Sequence, residues 1–172
     1  MSLLELKNVS KKEGENFLVH DISFTQQPAQ KIAIAGATGS GKTTLLKMIA
    51  GLAQRSAGEI YFEEKRIEGP DEQLIPGHPQ IAYLSQHFEL RNHYRVCELL
   101  EMVSAVSIEM LTTIAGICKI GHLTSRYTHQ LSGGERQRIA LAITLAAAPK
   151  LLLLDEPYSN LDAIHKNILQ KV

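Results

Sequence analysis

The sequence predicts an α/β fold with a mainly parallel sheet, antiparallel β strands at its N-terminal end and a helical subdomain. Three observations carry that expectation. The glycine-rich stretch Gly36-Ala37-Thr38-Gly39-Ser40-Gly41-Lys42-Thr43-Thr44 lies between the apolar run Ile32–Ala35 and the segment Leu45–Ala50, so a tight turn joins a buried strand to a helix. The hydrophobic period then changes along the chain, from two near the N-terminus to that of a helix beyond Arg95. Finally, Leu151–Leu154 is a continuous apolar run of strand length, as expected of a central parallel strand covered on both faces.

Composition sets the bounds. A chain of 172 residues with 44% hydrophobic content has enough material for one domain with a sizeable core. Formal net charge is zero, so no whole-molecule field announces nucleic acid or an anionic membrane, and direct nucleic-acid binding is not expected. The N-terminal residues lack the basic and apolar segments of a signal peptide, and no run is long enough to cross a bilayer, which points to the cytoplasm. Cys97 and Cys118 sit in apolar helical patterns without a C-x-x-C and read as free thiols.

Taken in order, Leu4 and Leu6 alternate with Glu5 and Lys7, and Ile22 and Phe24 with Ser23 and Thr25. These are half-buried strands on either side of a polar turn at Lys11–Asn16. Lys31–Ala35 is the first long buried strand, and the helix after the glycine-rich loop is capped at Gly51. Gly58–Phe62 is another strand, and Glu63–Gln80, with its five Gly and Pro residues, is loop. Ile81–Leu84 is a core strand that delivers Gln86 to its C-terminal end, where ligands gather in open α/β sheets. Val96, Leu99, Leu100 and Val103 mark one helix face, and Ile108, Leu111, Ile114 and Cys118 another. A long helix follows Leu131–Glu135 and stops before Pro149.

The loop matches G-x-x-x-x-G-K-S/T. In that pattern backbone N–H groups and a helix N-terminus face an anion, while Lys42 and Thr43 reach the β- and γ-phosphates and Mg²⁺. Beside such a loop the adjacent carboxylates Asp155 and Glu156 have a chemical use: Asp155 would hold Mg²⁺ and Glu156 would orient and deprotonate the attacking water. In isolation the same pair is a solvated strand end. Ser132 and Glu135 have the spacing of a capping box, which explains both residues by helix initiation. Gly133 and Gly134 are not explained that way; two glycines at a helix start suit close approach to an anion.

Leu131-Ser132-Gly133-Gly134-Glu135 followed by Arg136-Gln137-Arg138 resembles the signature motif of ABC ATPases, and it lies between Gln86 and Asp155 in that family's order. Gly36–Thr43 resembles its Walker A, Gln86 its Q-loop, Leu151–Glu156 its Walker B and Ser159–Asp162 its D-loop. The resemblance covers nearly the whole chain. It implies a P-loop NTPase core formed by residues 1–86 and 149–172, with residues 87–148 as helical insert and signature helix. It also implies ATP and Mg²⁺ as cofactors, with Thr43, Gln86 and Asp155 as metal-holding residues and Glu156, Gln86 and Lys42 as catalytic ones. Two such domains would meet head to tail, Ser132, Gly133 and Gly134 contacting ATP bound by the partner and Asp162 lying at the interface. Integral membrane permease subunits would dock on the helical insert. The implied role is to power a transporter, as a bacterial importer subunit on the cytoplasmic face of the membrane.

Three departures from the family pattern accompany the resemblance. The family's switch histidine ends a strand after the D-loop, and the sequence stops at Val172 ahead of that strand; His165 reads as a surface residue of the intervening helix. The aromatic residue that stacks on adenine is replaced by Glu13, leaving Phe17 as the nearest substitute. Ile143 stands where arginine is usual. Alternative readings are a soluble ABC ATPase acting on DNA or ribosomes, and a nucleotide-binding remnant without efficient hydrolysis.

Overall fold

The computed structural model describes residues 2–85 and 89–156. They form two compact units, Met1–Ile81 and Ala82–Val172.

In the first unit, β1 (Leu4–Glu13) and β2 (Asn16–Gln26) make an antiparallel hairpin, and β3 (Ala57–Phe62) and β4 (Lys65–Arg66) complete a sheet in the order β2-β1-β3-β4. The alternation read from Leu4–Lys7 is what the sheet uses: Leu4 and Leu6 are buried, as are their partners Phe62 and Ile60 of β3, and helix α1 (Lys42–Ile49) buries Leu45, Met48 and Ile49. The polar turn is shorter than expected. Strand pairing runs on to Glu13 opposite Asn16, leaving only Gly14 and Glu15 to reverse the chain.

The strand expected over Lys31–Ala35 is not formed; residues 31–37 have no regular structure and are exposed. An apolar run sets a preference for extended backbone, but a strand is held by the N–H and C=O groups of a neighbour. Among the described residues no strand pairs with this one. Helix α1 forms as predicted, with Ala50 as its C-cap and Gly51 the residue beyond it. The 63–80 stretch is loop apart from β4, and it is tied down by charge. Arg55, its side chain 6% exposed, donates to the carbonyls of Gly58 and Ile67, both at 3.0 Å, and to Glu59. Arg66 bridges Glu59 and Glu72, and Glu72 also accepts from the Gly69 N–H at 2.8 Å.

In the second unit, β5 (Ile81–Leu84) pairs in parallel with β6 (Leu151–Leu154). The helices α2 (Val96–Val103), α3 (Ile108–Ile117) and α4 (Gly133–Ala146) surround a core of Val96, Leu100, Ile114, Cys118, Leu131 and Ile139. Both cysteines are free thiols, and Cys118 is fully buried. Two residues of the expected helix faces do not reach this core: Val103 and Ile108, at the end of α2 and the start of α3, are exposed. The terminal turn of a helix projects beyond the surface it packs on, so periodicity overstates burial there. Leu151 and Leu153 are buried while Leu152 and Leu154 are half-buried, so β6 is less completely covered than its four leucines suggest. Ile143 packs half-buried against the helical core, a use for its apolar side chain in place of arginine.

Candidate functional site

The phosphate loop belongs to the first unit. Gly41 is the N-cap of α1, in the left-handed region at φ 82°. A Cβ there would stand 2.1 Å from the carbonyl oxygen of Leu18 in β2. The position is therefore closed to any side chain twice over, by backbone conformation and by the strand beneath it. Gly39 is also left-handed, at φ 81°, but faces open space. Residues 36–40 are exposed, and Lys42 folds back over them. Its ammonium donates to the carbonyls of Gly36 at 2.9 Å and Ala37 at 2.7 Å, and lies 3.5 Å from Ser40 Oγ. The ammonium so braced and the N-terminus of α1, whose first turn contains no acidic residue, put positive potential at one end of the loop. Thr43 is exposed and Thr44 half-buried in the same turn. Ala37 and Thr38 belong to the exposed rim.

Phe17 lies one residue from Leu18 and is 46% exposed. A register slip sets Phe17 opposite Lys12 and Val19 opposite Lys11, so the two β2 side chains face opposite sides. The Phe17 ring is covered by Lys12 Nζ at 4.6 Å and meets the His20 ring at 4.2 Å, edge on. With Ser10, Asp21, Ser56 and Ala57 these residues line an open groove of about 420 Å³.

The carboxylates belong to the second unit. Asp155 follows β6 and is only 6% exposed. Its N–H donates to the Leu84 carbonyl at 3.0 Å, and its Oδ2 accepts from the Tyr83 hydroxyl at 2.8 Å. Burial, and after it the hydrogen bond to Asp155, raise the Tyr83 phenol above its ordinary value, so it stays a donor at neutral pH. Glu156 is exposed and takes φ 48°.

Ser132 caps α4 as its spacing with Glu135 suggests. Ser132 Oγ accepts from the Glu135 N–H at 3.3 Å, while Glu135 Oε2 accepts from the Ser132 N–H at 2.8 Å. The Ser132 backbone N–H, and after it the Ser132 hydroxyl, hold the Glu135 carboxyl below the usual range. Arg126 lies 3.6 Å from its other oxygen. Gly133 and Gly134 form the first turn, Gly133 exposed, and an added Cβ at Gly133 would meet nothing within 4 Å. Gln86 and Asp162 lie outside the described residues.

Each constellation is thus organised within its own unit: Lys42 with Gly36 and Ala37, Asp155 with Tyr83, and Ser132 with Glu135. Sequence reasoning missed Tyr83. The one signal for it was a hydroxyl-bearing aromatic in an apolar strand, three residues ahead of Gln86. The residues fit a Mg²⁺-nucleotide. A glycine loop braced by lysine suits phosphates, and a buried carboxylate is a hard oxygen donor of the sort Mg²⁺ takes together with phosphate oxygens.

A family model described as ABC transporter matches residues 19–159. The chain is 39% identical over 170 residues to a Fe(3+) ions import ATP-binding protein of Haemophilus influenzae, covering 93% of this chain and 47% of that protein. It is 37% identical over 171 residues to a sulfate/thiosulfate import ATP-binding protein of Escherichia coli, covering 93% and 46%. Among solved structures it resembles a dimeric ATP-binding cassette in a post-hydrolysis state bound to ADP and Pi. There the TM-score is 0.76 at 27% identity, over 97% of this chain and 80% of that one. The chain spans about half the length of the curated relatives it matches. No helix among the described residues is long and apolar enough to cross a membrane. With the family model covering most of its length and its motifs in the family's order, the chain belongs to the ABC transporter family.

Proposed function

We propose that the protein binds and hydrolyses ATP as the nucleotide-binding subunit of a bacterial ABC importer. The observation that carries this reading is the braced loop in a member of this family: Lys42 held over Gly36 and Ala37 at the head of α1. The import proteins for ferric ions and for sulfate support the direction of transport. They differ in solute, and selection of the solute falls to the permease and binding subunits. Such a subunit works at the cytoplasmic face of the membrane, held there by the permease.

In this mechanism the backbone N–H groups of Gly39–Thr44 receive the phosphates, and Lys42 turns from loop carbonyls to the β- and γ-phosphate oxygens. Phe17 offers the ring for adenine. Thr43, Gln86 and Asp155 would hold Mg²⁺, which when bound neutralises phosphate charge. Glu156 orients the attacking water and takes its proton, aided by Gln86. The resemblance to a dimeric cassette supports a head-to-tail pair, in which Ser132, Gly133 and Gly134 of one copy meet the γ-phosphate held by the other and Asp162 lies between them. ATP can close the pair only by as much as it binds the closed form better than the open one.

Two variants separate binding from chemistry. Lys42→Ala is expected to weaken Mg²⁺-ATP binding at least tenfold, and unchanged affinity refutes the loop assignment. Glu156→Gln is expected to bind ATP normally and to lose turnover by roughly 10²–10⁴-fold, the usual contribution of a general base. Normal turnover in that variant removes Glu156 from the role.

A further inference from the structure

Tyr83 and Asp155 are 72 residues apart in sequence, yet the parallel pairing of β5 with β6 brings their ends side by side. The register is fixed locally by the Asp155 N–H on the Leu84 carbonyl at 3.0 Å. The Tyr83 hydroxyl then reaches Asp155 Oδ2 at 2.8 Å. Asp155 is buried and Tyr83 is half-buried, so this hydrogen bond is shielded from competing water. A carboxylate oxygen engaged by a fixed donor cannot rotate freely about its Cβ–Cγ bond, so the plane of the carboxylate is set by the phenol.

From this geometry we infer that Tyr83 is a positioning residue for Asp155: its hydroxyl fixes the carboxylate in the orientation in which it holds the divalent cation of a bound nucleotide. The inference rests on the Mg²⁺-ATP reading above and deepens it. The phenol does not touch nucleotide or metal. It acts through the carboxylate, as outer-shell partners do when they orient the groups that ligate a metal.

The test uses Tyr83→Phe, which deletes one oxygen and keeps the ring, in the 172-residue chain. Binding of a fluorescent ATP analogue is titrated against Mg²⁺, with a parallel titration in EDTA. The expected result is about a tenfold rise in the Mg²⁺ concentration needed for half-maximal enhancement, the lower end of what losing an outer-shell partner costs. Affinity in EDTA should stay unchanged, which also reports that the variant is folded. A merely structural tyrosine would instead lower thermal stability and leave the Mg²⁺ midpoint in place; that outcome overturns the inference. An equal loss in EDTA and in Mg²⁺ overturns it as well. If the parent chain itself shows no Mg²⁺ dependence, the Mg²⁺-ATP reading fails and the inference falls with it. Dependence in the parent with no shift in Tyr83→Phe sinks the inference alone.

Discussion

The carbonyl oxygen of Leu18 lies 2.1 Å from the point where a Cβ on Gly41 would stand, so a strand and the start of a helix meet at a spacing that only glycine permits. Gly41→Ala combines that clash with the cost of a left-handed alanine, and the head of α1 has to move away from β2. We expect a loss of roughly 1–3 kcal/mol in stability, read by urea denaturation, together with loss of nucleotide binding. Gly39→Ala is the control. Its φ is nearly the same but no atom lies within 4 Å of the added carbon, so the stability loss should sit at the low end of that range. Equal losses in the two variants would show that the Leu18 contact is not what excludes a side chain.

The reciprocal bonds between Ser132 and Glu135 make a second prediction. Ser132→Ala removes the acceptor for the Glu135 N–H and should destabilise the start of α4 by about 1 kcal/mol, the ordinary cost of losing such a cap. Hydrogen exchange should rise in the first turn of α4 and stay unchanged in β1–β3. Nucleotide binding by an isolated chain should be preserved, because the partner's nucleotide is the one this turn is proposed to meet. A fall in the affinity of the isolated chain as large as that of Lys42→Ala would contradict the trans assignment.

Acid stability should reflect Glu72. The Gly69 N–H and then the Arg66 guanidinium hold its carboxyl down at about 2, against an ordinary value of 4.5. A depressed carboxyl stabilises the fold above its unfolded value and loses that contribution as pH falls through the folded one. The window is therefore about pH 4.5 to 2, in which the parent should lose stability as the loop over 69–77 is released. Glu72→Gln should flatten this part of the profile, measured as thermal midpoint against pH. An unchanged slope would assign the acid response to other carboxylates.

Much of the fold was legible because its signals are local. The alternation of Leu4 and Leu6, the Ser132–Glu135 spacing and the four leucines of 151–154 each describe a few consecutive residues, and each formed the element it announced. Lys31–Ala35 carries an equally clear apolar run and did not become a strand, since ladder hydrogen bonds come from a neighbour that the run cannot name. Phe17 was identifiable as the nearest aromatic substitute for Glu13. Its cover by Lys12 and His20, however, depends on a register slip that composition does not record.

By itself, then, the sequence determined the family, the order of its motifs and the residue types at each point: glycines and a lysine in one loop, paired carboxylates at the end of an apolar strand, a capped helix after Leu131. These are written in short windows whose spacing is the chemistry. Only the tertiary structure decided what braces them. Leu18 closing Gly41 to a side chain and Tyr83 holding Asp155 both join residues far apart in the chain, and such contacts exist only once strand pairing has fixed which backbones lie side by side.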